Sequence, residues 1–495
     1  MVIPREYNIP RIFSVKNNRN YLYTGLIISI LTWILFKCYY PYPYFTYDSY
    51  LYFADAVANV NVSYRPIGYS KFIRWMSYIS HSQYFIVTIQ YVFFRGAIIY
   101  LFLTLRIFLK LDRITSFVLF CFLFFNPLFL DACNHILSDS LFTSISIIWF
   151  TQLIWLIKGT SKWLIFSQGI LLLLAFVLRY NALYYPVIST IVLFLCPFER
   201  KLKIAGIVFQ FLLVGSFYFY TSFLINKSTG YFQFSPLSSW KIANNALYMV
   251  DNMNSRKPGD VPKEFIAIDT FVQQYLNAPH YVNKLQEQDI TNGSFFIFME
   301  KSPLNRYLAS KYGSVTTQID FFKVAPYFKK YGYYLIRNNL LSFFKFVIWP
   351  NFQQYLMPNT EVFNSGDIKL YYVQKKEERK VVSPFINLVE FKPLVRFGII
   401  RSEIFALFPM LFFILHLNFI ISMIATAVMY VLNENLEMDI RVSLLAVLIW
   451  ILNIFFSTIS APSVLRFELF ISIVEFSFAI YFFRVASKSY LAANQ

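Results

Sequence analysis

Asp48, Tyr52 and Asp55 stand at i, i+4 and i+7 in TYDSYLYFADAVANVNVSYRPIGYSKF, residues 46–72. On a helix that spacing puts all three on one face, with Asn59 extending the row. A carboxylate held against a low-dielectric surface can act as a general base, because burial and neighbouring groups move its pKa toward the working pH. Asp48 is therefore the candidate base, with Tyr52 and Asp55 placed to touch a substrate. The plainer reading of the same residues is a solvated acidic loop.

A second set lies in NPLFLDACNHILSDSLFTSISIIWF, where Asp131, His135 and Asp139 follow one another at steps of four. Such a row can bind a divalent cation, hydrogen-bond a sugar hydroxyl, or, through Ser138 and Asp139, cap the next helix. Three arginines complete the inventory: Arg65, Arg179 in LRYNALYYP and Arg466 in SAPSVLRFELF. Guanidinium groups at a membrane interface grip phosphate bidentately, pair with the acids, or anchor the chain. Arg95, inside QYVFFRGAIIY, has to face inward with a partner.

The elements that must position these residues are membrane helices. The chain is 57% hydrophobic and only 14% charged, against about 25% charged in soluble domains. Apolar runs predict spans near 21–40, 84–109, 114–130, 140–157, 163–179, 183–198 and 204–225, and again near 402–430, 442–459 and 467–484. The 402–430 run leaves one helix or two open, with His416 and Asn418 marking a point where it could break. The expected fold is all-α and polytopic, about ten spans, with a mostly helical extracytoplasmic domain inserted before the last three. Its parts are 1–225, 226–395 and 396–495.

Basic residues at Arg5, Arg11, Lys16 and Arg19, then Arg106 to Arg113, Lys158 to Lys162 and Arg200 to Lys203, fall on one side. The positive-inside rule makes that side cytoplasmic, with both termini there and the acidic loops outside. The net charge of +18 is spent at span ends and on anionic lipid, so nucleic acid is not an expected partner. Cys38, Cys121, Cys133 and Cys196 lie in or beside apolar segments with no CxxC spacing, so no zinc site, redox pair or disulfide framework is indicated. The N-terminal basic stretch leads into a full-length span with no small-residue cleavage site, so it reads as a retained anchor.

In this order the pieces resemble the GT-C superfamily of integral-membrane glycosyltransferases, which take sugars from polyprenyl-phosphate carriers outside the membrane. The resemblance rests on Asp48 followed by a proline turn at RPIGYSKF, on an Asn-Pro-Leu span leading to Asp139, on Arg179, and on Arg466-Phe467. It implies Asp48 as catalytic base and Asp139 as a second catalytic residue positioning acceptor or donor. It implies Tyr52, Asp55, Arg65, His135, Arg179 and Arg466 as substrate-binding residues. The donor would be a polyprenyl-phosphate-linked sugar, and the acceptor a lipid, glycan or protein. The setting would be a plasma (inner) membrane with the site extracytoplasmic. The family often pairs two acids in its first loop; here Ser49 follows Asp48, and a divalent cation is allowed but not required. A lipid-linked sugar flippase or transporter, or a noncatalytic membrane scaffold, are the competing readings.

Overall fold

A backbone crossing hydrocarbon must satisfy its own hydrogen bonds, so long apolar runs fold as helices. The computed structural model describes residues 16–253, 261–278, 293–361, 376–388, 398–432 and 438–493; Arg5 and Arg11 lie outside these. Helices α1 (Lys16–Tyr39), α2 (Tyr47–Ala58), α3 (Gly68–Ser77) and α4 (Phe85–Phe108) come first. Then follow α5 (Arg113–Phe125), α6 (Pro127–Asn134), α7 (Asp139–Ile157), α8 (Leu164–Leu178), α9 (Tyr185–Leu195) and α10 (Arg200–Thr229). No β-strand occurs among the described residues, only isolated bridges.

Eight helical segments are long and apolar enough to cross a membrane. The expected spans near 163–179 and 183–198 are the shorter apolar helices α8 and α9, of 15 and 11 residues. At about 1.5 Å per residue they reach only part of the way across a ~30 Å core. Helix α7 is the hub, with 83% of its apolar window buried, whereas α1 and α10 bury only 11% and turn Ile27, Leu31, Phe211, Phe219 and Phe223 outward, as lipid-facing helices do.

Past α10 the chain forms a second hydrophobic core around Trp240, Phe296, Phe328 and Tyr331. It is built from α11 (Pro236–Asp251), α12 (Ile266–Leu276), α13 (Pro303–Tyr312) and α14 (Gln318–Asn338), followed by α15 (Trp349–Leu356). Gly332 lets α14 lie directly on α11, since a Cβ there would sit 2.8 Å from the Ala243 backbone.

The chain returns to the bundle with α16 (Phe408–Leu432), α17 (Ile440–Ser460) and α18 (Leu469–Ala493). The 402–430 run breaks at Leu407, not at His416; Pro409 lacks the N–H that would carry the preceding helix Gly398–Ala406 through. At the end of the bundle far from the second core, Lys158 pairs with Asp439, and Arg484 with Asp112 at 2.7 Å.

Arg95 faces inward, as expected, and its partners are backbone. Pro127 interrupts the α5–α6 ladder, and Arg95 donates to the Leu123 and Phe124 carbonyls at 2.8 and 3.2 Å.

Candidate active site

Short backbone stitches bring the polar loops together. Tyr44 N–H donates to the Asn134 carbonyl and Ile136 N–H to the Tyr44 carbonyl, both at 2.9 Å. Ser49, fully buried, accepts from Thr46 N–H at 2.9 Å and donates to the Ile136 carbonyl at 2.8 Å. Ser49 is thus the rivet that fixes α2 against the segment leading into α7. Leu465 N–H donates to the Asn359 carbonyl at 2.9 Å, which lays the 359–361 segment beside the 3-10 turn Leu465–Phe467. Asn245 donates to the Ile459 and Ser460 carbonyls left free at the end of α17. That contact seats α11 over the same turn. Gly68 starts α3 where a Cβ would meet the Val177 carbonyl at 2.7 Å, close to Arg179.

Arg466 is the centre of the resulting cluster. Its Nη1 lies 3.4 Å from Asp48 and 3.6 Å from Asp139, and its Nε lies 2.8 Å from Glu361. Arg65 pairs with Asp48 at 2.7 Å, and Arg179 pairs with Asp139. The Phe467 ring carries both guanidiniums, Arg179 at 4.4 Å and Arg466 at 4.9 Å from its centroid. Tyr52 is buried behind Asp48, its hydroxyl 3.2 Å from Ser138 and its ring under Arg65. Ser138 therefore serves Tyr52 and makes no side-chain cap to α7. Asp139 occupies the first turn of α7, where the helix dipole favours a carboxylate.

The electrostatics run opposite to the expectation for Asp48. Burial pushes its carboxyl up, but Arg466 and Arg65 outweigh burial and hold it down at about 2. Asp48 is a firmly ionised carboxylate, not one poised near neutrality. Lys241, half-buried on α11 one turn before Asn245, is lowered to about 8 by burial and by Arg179, Arg466 and Arg65.

Two predicted substrate contacts fall elsewhere. Asp55 turns to Ser63, and burial raises its pKa; the helix ends at Asn59 in a left-handed cap, so the row stops short of the cluster. His135 points to Asp131 at 3.1 Å, and Asp131 is gripped bidentately by Arg401 at 2.9 and 2.8 Å. Asp131, His135 and Asp139 thus divide between two clusters, and no three His, Cys, Asp or Glu are grouped to hold a metal ion among the described residues.

Sequence reasoning missed Glu361, Lys241 and Arg401, which nothing local marks. It also missed a buried group beneath the site: His416 on α16 lies 2.8 Å from Glu475 and 3.6 Å from Glu468, with Ser463 donating to Glu468 at 2.5 Å. Two glutamates seven apart in the apolar run RFELFISIVEF were a visible signal.

The fold and site together define a polytopic all-α membrane protein with a charged, partly buried site at the end of the bundle that meets the second core. Compared with family models, curated proteins and solved structures, the chain finds no match in any of the three.

Proposed function

We propose that this protein is a membrane glycosyltransferase that moves a sugar from a polyprenyl-phosphate carrier to an acceptor hydroxyl. In this reading α8 and α9 complete a set of ten spans, both termini are cytoplasmic, and the Arg466 cluster faces outward. The observation that carries it is the meeting of Asp48 and Asp139 on Arg466, ringed by Arg65, Arg179 and Lys241. Arg65, Arg179 and Arg466 pair with the three carboxylates Asp48, Asp139 and Glu361, and Lys241 beside the arginines adds a fourth cation, so the ring has a positive charge left for a phosphate.

The depressed pKa of Asp48 fits a substrate-gated base. Arg65 and Arg466 are paired with carboxylates. A donor phosphate takes those guanidiniums over, and Asp48, released from them, regains basicity beside the acceptor hydroxyl. Asp48 then accepts the hydroxyl proton, the acceptor oxygen bonds to the anomeric carbon, and the phosphate leaves with the electron pair of the broken C–O bond. The arginines stabilise its charge as it forms.

Membranes carrying the protein, given radiolabelled polyprenyl-phosphate sugars, should transfer label to an acceptor fraction, and Asp48→Asn membranes should not. Label that stays on the carrier in both sinks the proposal. A second reading, a cation-coupled transporter of lipid-linked sugars, is favoured by the buried His416–Glu468–Glu475 group, because ionisable residues inside spans commonly serve proton relays. Movement of labelled carrier across vesicles without transfer of its sugar would select it.

A further inference from the structure

His416, Glu468 and Glu475 are each at most 1% exposed, the histidine from α16 and the two glutamates from the start of α18 and the residue before it. His416 is the ninth residue of α16 and Glu475 the seventh of α18. At about 1.5 Å per residue Glu475 lies roughly 10 Å along α18 from the Arg466 turn, and His416 packs beside it. The groups facing them are few. Tyr355 of α15 stacks on the imidazole at 5.1 Å and donates its hydroxyl to Asn453 of α17. Trp450 of α17 faces Glu475, Ser463 holds Glu468, and Tyr184 lies beyond Tyr355. No lysine or arginine pairs with either glutamate among the described residues.

The charges do not close. An imidazolium with two carboxylates leaves one net negative charge in a water-poor interior, which is a costly arrangement. Glu468 Oε2 and His416 Nε2 face each other at 3.6 Å, longer than a full hydrogen bond, and Glu475 Oε2 looks toward Trp450. The gap between His416 and Glu468 and the outer oxygen of Glu475 are the positions where a further proton would bind. The donors are not grouped to hold a metal ion.

We propose that His416, Glu468 and Glu475 form an intramembrane proton-binding site, and that its occupancy sets the pose of the Arg466 turn. Two protons, one on the imidazole and one on a carboxyl, bring the group to neutrality. The mechanical link is short: Ser463 and Glu468 bracket the 3-10 turn Leu465–Phe467 and are bonded to each other. A Glu468 drawn toward the imidazolium, or released from it, moves the base of the turn that presents Arg466. The inference is independent of whether sugar is transferred above it.

The test uses the full chain in lipid nanodiscs, stepped from about pH 6 to about pH 9, a range in which an ordinary glutamate, at about 4.3, is already ionised and only a carboxyl kept protonated by its surroundings gives a signal. Infrared difference spectra should show the carbonyl band of a dry protonated carboxyl disappearing at the high end, and Glu475→Gln or Glu468→Gln should remove that band. Across the same steps the wild-type melting temperature should fall by several degrees. In Glu475→Gln it should stay level, because one imidazolium and one carboxylate already balance. Hydrogen exchange across residues 461–468, corrected for intrinsic pH dependence, should rise several-fold in wild type only.

The wild-type measurements stand even if a variant does not fold. A wild type with no such band and a level melting temperature overturns the proton site. Sodium chloride, but not choline chloride, restoring stability at high pH also overturns it, in favour of a sodium ion. Exchange that stays level across the pH steps overturns the link to the turn.

Discussion

Asp48 and Asp139 share one guanidinium: Arg466 Nη1 lies 3.4 Å from the first and 3.6 Å from the second. Neither acid touches the other's arginine partner, Arg65 or Arg179, at ion-pair distance. Arg466 is therefore the joint between two otherwise separate pairs. If Asp48 is the base, Asp48→Asn keeps the shape and removes only proton acceptance. We predict a loss of transfer of about 10²- to 10⁴-fold, with melting temperature and expression near wild type. Near-normal turnover in the variant would remove Asp48 from the mechanism.

The pH profile should carry the same signature. Arg466 and Arg65 hold Asp48 down at about 2, so under the proposed mechanism the base is ionised at every working pH and kcat/KM should show no acidic limb from it above about pH 4. Its depressed pKa also stabilises the fold above the unfolded carboxylate value, and that contribution fades as pH falls through about 2. Lys241 behaves in the other direction. It is cationic below about 8 and neutral above, so kcat/KM should decline above that point, and Lys241→Met should flatten the decline. An acidic limb near neutrality that vanishes in Asp48→Asn would contradict the geometry.

Under the proposed mechanism Glu361 would compete with the donor phosphate for Arg466. It holds the guanidinium by two contacts, 2.8 and 3.3 Å, from a residue whose φ is +44°, a left-handed conformation uncommon outside glycine. Glu361→Gln should tighten donor binding, lowering KM by up to about tenfold, the equivalent of ~1.4 kcal/mol. Measuring inorganic pyrophosphate affinity in both proteins checks this without turnover. Weaker binding in the variant would make Glu361 a positioning group for Arg466 instead of a competitor.

Arg95 offers a stability test that leaves the site alone. Its donors stand in for the N–H that Pro127 lacks. Arg95→Met leaves buried carbonyls unmet and should cost about 1–3 kcal/mol. Pro127→Ala restores an N–H, so the same arginine change should cost less in that background. A double-mutant cycle on melting in detergent reads the coupling directly; strict additivity would separate Arg95 from the break.

How much of this was legible depended on whether the signal was local. Apolar runs and basic flanks mark the helices, and the acid spacing after the first span marks α2, because these are properties of consecutive residues. Asp139 and Arg466 stood out as charges at span ends. Glu361, Lys241 and Arg401 did not, because each reaches its partner through a tertiary contact that no spacing encodes. The pKa of Asp48 was misread for the same reason: its sign depends on Arg65 and Arg466, and only the fold sets them beside it. His135 looked like a site residue because a four-residue step suits both a ligand row and an ordinary i, i+4 pair, and here it makes the pair with Asp131.

The Asp131–Arg401 pair should behave as a lock between α6 and the helix Gly398–Ala406. Both side chains are at most 3% exposed and the contact is bidentate, with Tyr44 stacked on the guanidinium at 4.8 Å. Removing one partner strands a buried charge, so Arg401→Met should cost about 3–5 kcal/mol. Removing both should cost much less, because a pair of this kind repays little beyond its own desolvation. Asp131→Asn combined with Arg401→Met is therefore expected to melt well above Arg401→Met alone. Because Tyr44 and Asn134 belong to the stitch that fixes α2, the single variant should also lose the Asp48 geometry, and the double variant should recover it. Equal melting of single and double variants would mean that Asp131 finds other compensation, with Lys37, whose charge it feels, the first place to look.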